Sequence, residues 1–231
     1  MGQPGSSDLQ DTNDKKAILA IETSEIACGI CIYFSDDKFF STSIHLKHSH
    51  AEKIFEIIDW LFNISKTKPH ELGCIAISAG PGSFTGLRIG MSAAKGIAYG
   101  SGLPIIDVPT YEAFALQLSQ ILPDDSQFIV ANKLNRDEVC FAKFQIKGNS
   151  YIFVDDLVVL KNDAFKNKVN NVPVFGNAAL ILNENIKLPV GPDPKFVAKW
   201  AAEFGKKRKT FKYDFLEPNY LKSFIIKEKS K

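Results

Sequence analysis

The hydrophobic positions of this chain follow two rhythms. Ala17-Ile18-Leu19-Ala20-Ile21 is a continuous apolar run, the pattern of a strand covered on both faces. Glu22-Thr23-Ser24-Glu25 interrupts it as a polar turn. A second strand follows from about Ala27 to Phe34, Asp36-Asp37-Lys38 turns the chain, and Phe39 to Leu46 reads as a third. Residues 17–46 are thus expected to form an antiparallel three-stranded meander.

From Ser49 the rhythm becomes helical. Ser49 and Glu52 make an S-x-x-E capping box, and Ile54, Phe55, Ile58, Leu61 and Phe62 form the core stripe. Ile57 and Trp60 fall outside it and widen the apolar arc to about two-thirds of the circumference, where ~100° serves an ordinary surface helix. An arc that wide predicts a helix covered on a second side, by its own protein or by a partner.

Gly73 to Ser78 then reads as a buried strand, Phe84 to Tyr99 as a helix, Ile105 to Val108 as a strand and Tyr111 to Ile121 as a helix. Beyond the break at Pro123-Asp124-Asp125, strands are expected over Phe128–Ala131, Glu138–Ile146, Tyr151–Val154 and Val172–Phe175, and a helix over Pro194–Phe204. This order predicts an α/β protein in two lobes. Residues 1–15 read as a disordered leader, 16–108 as the N-terminal lobe and 109–210 as the C-terminal lobe. Residues 211–231 read as a closing segment returning to the first lobe.

Composition narrows the function classes. A chain of 231 residues with 45% hydrophobic and 23% charged positions can bury a globular core. No apolar run approaches the ~20 residues that cross a bilayer, and the polar leader has no secretory h-region. Cytoplasmic residence is therefore expected, with the four cysteines reduced and unpaired. A net charge of +2 is too small to argue for nucleic acid. The basic run Lys206-Lys207-Arg208-Lys209 could meet a phosphate backbone but reads first as a solvated turn.

The chemistry-bearing segment is residues 75–100, IAISAGPGSFTGLRIGMSAAKGIAYG. The turn Ala79-Gly80-Pro81-Gly82 feeds a helix N-terminus, an arrangement able to hold an anion on free N–H groups. The spacing matches neither the P-loop nor the dinucleotide fingerprint. Within the helix Gly86, Gly90, Ala94 and Ala98 recur every four residues as a column of small side chains. An interior helical glycine costs about 1 kcal/mol relative to alanine, so close backbone approach is expected there. With the wide arc of the preceding helix, this favours a protein interface over internal helix–sheet packing.

The string Ser78 to Gly90, with Ala94-Lys95-Gly96 after it, resembles the signature of the TsaB (YeaZ) family. Leu19-Ala20-Ile21-Glu22-Thr23-Ser24 is similar to that family's opening strand and turn, and His50-Ala51-Glu52 to its helix start. Pro109-Thr110-Tyr111-Glu112-Ala113, Gly176-Asn177-Ala178 and Pro218-Asn219-Tyr220-Leu221 match further motifs in order. The resemblance covers residues 17–222, strongly in the first lobe. It implies a two-lobed actin-like, Hsp70-like (ribonuclease H-like) fold with a degenerate nucleotide cleft. It also implies a non-catalytic platform for a TsaD-type subunit, which places threonylcarbamoyl on the tRNA adenosine beside the anticodon. A TsaE-type ATPase is then the third member, a homodimer forms when the chain is alone, and tRNA is met through the complex.

On that resemblance the partner-binding residues are Ile57, Trp60, Gly86, Gly90, Ala94 and Ala98, and the signature loop is Gly80, Pro81, Gly82, Ser83, Phe84, Thr85, Gly86 and Arg88. No cofactor of its own is implied, with ATP or ADP at the complex interface. TsaD-type metal sites use two histidines four residues apart, and Thr110 and Phe114 stand in those places here. One departure lies at Asn132-Lys133-Leu134-Asn135-Arg136-Asp137-Glu138, where the family has D-A-R-R-G-E.

Other candidate chemistry is thinner. Glu22, Thr23 and Ser24 sit where actin-like ATPases hold phosphate, and a carboxylate with two hydroxyls could take Mg²⁺-phosphate. The competing reading is a turn that satisfies its own backbone. An ATPase or transferase acting in its own right, using these residues and the Gly80–Gly82 turn, is the alternative function. His45, His48 and His50 lack metal-ligand spacing. Cys28 and Cys31, three apart in a strand, are expected on opposite faces, and Cys74 and Cys140 as buried small hydrophobes.

Overall fold

The computed structural model describes residues 16–45, 50–182 and 189–219, with only the backbone of residues 50–52. The leader, the Ser49–Glu52 capping box, His48 and the Tyr220-Leu221 end of the closing motif lie outside this description.

The meander forms as expected, with β1 (Ala17–Glu22), β2 (Ala27–Ser35) and β3 (Lys38–His45) antiparallel in sequence. Helix α1 (His50–Ser65) leads to β4 (Leu72–Gly80), and α2 (Phe84–Ser101) to β5 (Ile105–Pro109). The first sheet has the order β3-β2-β1-β4-β5, with β1, β4 and β5 parallel. Every residue of β1 is buried, as its unbroken apolar run requires.

Two helical layers cover this sheet. On one face Leu19, Ile21, Ile30 and Ile77 pack against Ile54, Ile58 and Leu61 of α1 and Met91, Ala94 and Ala98 of α2. On the other, Ala20, Cys31, Ala76 and Ile106 meet α3 (Thr110–Leu118) and α5 (Pro194–Phe204). Cys28 and Cys31 divide between the two faces, and all four cysteines are buried and free.

The second sheet runs β8-β7-β6-β9, from β6 (Gln127–Lys133), β7 (Glu138–Lys147), β8 (Ser150–Lys161) and β9 (Val174–Phe175). Helix α4 (Asn162–Val169) seats Phe165 against Ile129 and Phe141. Helix α3 lies between the sheets. Its Ala113 and Leu116 belong to the first core, and its Tyr111, Phe114 and Leu118 to the second. A helix apolar on all sides is one covered on all sides.

Several expectations need correction. Ile57 is 5% exposed and sits in the core, whereas Phe55 is 56% exposed. On a 100°-per-residue wheel the sheet selects 54, 57, 58 and 61 and leaves 55 and 60 outside. Helix α5 does not belong with residues 109–210 as a second lobe, because Val197, Ala198 and Trp200 pack on the first sheet. Strand β8 continues through Asp155-Asp156 to Lys161, and α4, too short and polar to signal itself, was not anticipated. Residues 211–219 also run against the first lobe: the Tyr213 hydroxyl donates to Leu103 O at 2.7 Å, and Asn219 N to Ala79 O at 2.7 Å.

Candidate functional site

Parallel strands β1 and β4 end side by side, and their turns clasp each other. Glu22, 3% exposed, accepts hydrogen bonds from Ser24 N (2.6 Å) and Ser24 Oγ (2.5 Å) on Oε1, and from the Ser78 hydroxyl on Oε2. Thr23 Oγ1 donates to Gly86 O at 2.8 Å, and Ser83 N donates to Ser24 O at 2.6 Å. Burial pushes the Glu22 carboxyl up to about 7 despite the serine hydrogen bonds.

The clasp explains the signature glycines. A Cβ on Gly82 would collide with Ser24, one on Gly86 with the Thr23 carbonyl, and one on Gly90 with Thr23 Oγ1 and Ile77. Gly80 has φ +107° and precedes a cis bond to Pro81, and its N–H donates to Thr110 Oγ1 at 3.0 Å. Ser83 caps α2 by accepting from Gly86 N at 3.3 Å. The chain itself therefore occupies the helix N-terminus that could have held an anion.

This corrects two sets of expected site residues. Glu22, Thr23 and Ser24 are fully buried and committed to the clasp, so they present no ligand set to a nucleotide. Gly86, Gly90, Ala94 and Ala98 are buried against β1, β4 and the Thr23 turn, so that column does not face a partner. Of the positions proposed for docking, Trp60 alone is outward, at 53% exposure.

A second polar cluster, unmarked by any motif spacing, joins the lobes. Glu25 accepts from Asn132 Nδ2 at 2.7 Å and from Asn177 Nδ2 at 3.2 Å. Asn177 N donates to Asn132 Oδ1 (2.8 Å) and Lys133 N to Asn177 Oδ1 (2.6 Å), which fixes the orientation of both amides. Burial pushes Glu25 up to about 8. The Gly176-Asn177 turn did signal in the sequence; its role as a strap across the cleft did not. The charged departure at Lys133 stays exposed at the β6–β7 hairpin, where Asn135 Nδ2 donates to Glu138 Oε2 at 2.6 Å.

The outer surface of α1 and α2, which lie together on one face of the first sheet, is where the chain is least complete. Phe55, Trp60 and Ile64 of α1 are exposed, and Tyr99 of α2 is 81% exposed. Thr85, Arg88, Ser92 and Gly96 form the outward side of α2, with the Arg88 guanidinium 3.8 Å from the Phe84 ring centroid. A Cβ added to Gly96 or Gly100 would meet nothing within 4 Å. A second small-residue column, Ser92-Gly96-Gly100, thus runs on the open side of the helix.

Thr110 and Phe114 are 1% exposed, the first holding the Gly80 N–H and the second packed among the aromatic side chains of the second core. Among the described residues no three His, Cys, Asp or Glu side chains gather as a metal site, and no helix is long and apolar enough to cross a membrane.

Comparison with known proteins completes the picture. Residues 44–190 match the family model described as TsaD, tRNA N6-adenosine threonylcarbamoyltransferase. The tRNA threonylcarbamoyladenosine biosynthesis protein TsaB of Haemophilus influenzae is 29% identical over 126 residues, 54% of this chain and 52% of that protein. TsaB of Bacillus subtilis is 35% identical over 98 residues, 42% of this chain and 43% of that protein. The matched stretch thus spans about half the length of these relatives. The structure of YeaZ from Pseudomonas aeruginosa superposes with a TM-score of 0.74 over 89% of this chain and 100% of that one, at 20% identity, a likeness of fold.

Proposed function

The chain belongs to the TsaB (YeaZ) family, within the group that carries the TsaD-type domain, and from that premise we propose that it is a non-catalytic platform in the making of threonylcarbamoyladenosine in tRNA. It docks a TsaD-type subunit on the outer faces of α1 and α2, and in the absence of that subunit pairs there with a second copy. A TsaE-type ATPase and tRNA join through the complex, and ATP or ADP is held at the subunit boundary.

The observation that carries this reading is Gly96. A glycine inside a helix costs about 1 kcal/mol relative to alanine, and nothing in this chain comes near enough to require it. Close approach by another backbone supplies the missing reason. The exposed aromatic rings of Phe55, Trp60 and Tyr99 are the kind of anchors that interfaces bury. Thr110 and Phe114, buried and already engaged, support a non-catalytic role. The alternative of an ATPase or transferase in its own right draws nothing from Glu22, Thr23 and Ser24, whose polar atoms are turned inward.

The test is size-exclusion with light scattering on the chain alone and mixed with a TsaD-type subunit from the same source. Wild type should form a one-to-one heterodimer, and Trp60→Glu with Gly96→Arg should abolish it without shifting the melting transition. A wild-type chain that ignores the TsaD-type subunit, or a variant that binds as well as wild type, would overturn the proposal. Micromolar ATP turnover by the isolated chain would favour the alternative.

A further inference from the structure

At the end of the first sheet opposite the clasp, where β1 and β4 begin and β2 ends, the structure encloses a cavity of about 460 Å³. That volume lies within the roughly 300–1,000 Å³ of small-molecule sites. Ile18, Tyr33 and Ile106 supply apolar walls, and Lys16, Lys206 and Lys209 stand around it; no carboxylate lines it.

The lysines are not balanced by the acids around them. Asp107 is held by Arg208, from Nε at 3.1 Å and from Nη2, while Asp36 and Glu203 lie 2.6 and 3.6 Å from Lys199. Among the described residues no ion pair includes Lys16, Lys206 or Lys209. Burial pushes the Cys74 thiol in the same wall up to about 11, and the Lys209 charge acts against that rise, so the ammonium field reaches the interior.

The segment that carries two of these lysines is held in place. Ile105 N donates to Thr210 O at 2.9 Å and Thr210 N to Ile105 O at 3.0 Å. Gly205 packs so closely under Ile106 that a Cβ there would lie 2.8 Å from Ile106 Cγ2. The basic run read from the sequence as a solvated turn is thus a fixed rim over an apolar hollow.

We propose that this cavity binds a small organic anion, a phosphate monoester or carboxylate on a flat aromatic or short aliphatic body. The body lies against Ile18, Tyr33 and Ile106, and the charge meets the three ammonium groups. A concave apolar floor suits a body the size of two fused rings better than a nucleic-acid backbone, which needs an open basic stripe.

The experiment titrates the full chain with 2-naphthyl phosphate, followed by naphthyl fluorescence and calorimetry, with 2-naphthol as the neutral control. Two variants are compared, the pair Lys206→Glu with Lys209→Glu, and Ala202→Trp, which plugs the mouth from an exposed position. One saturable site is expected, weakened at least ~tenfold in either variant and for 2-naphthol, with melting transitions unchanged. Absence of saturation up to about 1 mM, equal binding of 2-naphthol, or binding that survives both variants overturns the proposal. Should the charge-reversed pair melt early, Ala202→Trp alone decides.

Discussion

Asn132, on the second sheet, donates its amide hydrogen across the cleft to the carboxylate of Glu25 at 2.7 Å, one hundred and seven positions away in sequence. Two amide donors favour the ionised carboxylate, but burial outweighs them and holds its pKa near 8, against an ordinary value of 4.5. Between these values the folded chain binds more protons than the unfolded one. The contribution to stability is therefore complete below ~4.5 and declines as pH rises through about 8. Glu25→Gln, neutral throughout, should gain on wild type by up to ~1.4 kcal/mol per pH unit across that window. Urea midpoints measured from pH ~5 to ~8 decide it, and parallel curves for the two proteins would contradict the buried-acid assignment.

The two glycine columns of α2 should respond oppositely to alanine. Gly86→Ala and Gly90→Ala drive a methyl into Thr23 and Ile77, so each should destabilise by at least ~1–3 kcal/mol, the ordinary cost of overpacking. Gly96→Ala meets open space and should stabilise the isolated chain by ~0.5–1 kcal/mol. Chemical denaturation of the three variants reads both signs at once. A destabilising Gly96→Ala would mean that this face is covered within the chain itself.

Thr110 occupies a position where a metal-binding relative would place an imidazole, and its hydroxyl accepts the Gly80 N–H instead, at 3.0 Å. Thr110→Val keeps the shape and removes the acceptor, leaving a buried donor unpaired. The expected loss is about 1–3 kcal/mol, with Thr110→Ser retaining most of the stability. Equal melting temperatures for the valine and serine variants would show that the Gly80 N–H finds another partner.

Much of the architecture was legible from local pattern. The buried run of β1, the three-stranded meander, and the α5 boundaries at Pro194 and Phe204 all follow from periodicity and turn residues. What periodicity cannot state is which surface a side meets. The Gly86–Ala98 column was visible as a small-residue face. That the Thr23 turn, some sixty positions earlier, fills the space above it depends on the pairing of β1 with β4. Ile57 and Phe55 exchanged places for a related reason, since the angle at which α1 lies on the sheet decides which edge of a wide arc is covered. The Glu25 strap drew on three short polar segments distant in sequence, none of which announces the others. The amphipathic pattern of α5 likewise carries no information about which sheet it returns to.

Helix α3 lends Leu116 to one core and Phe114 to the other. Swinging one sheet against the other would strip side chains from whichever core was left behind, and closely packed interiors resist such partial separation. Two-lobed proteins with independent cores can open and shut around a ligand; this one is built as a single wedge. What it offers another molecule is therefore a surface of constant shape, recognised as it stands.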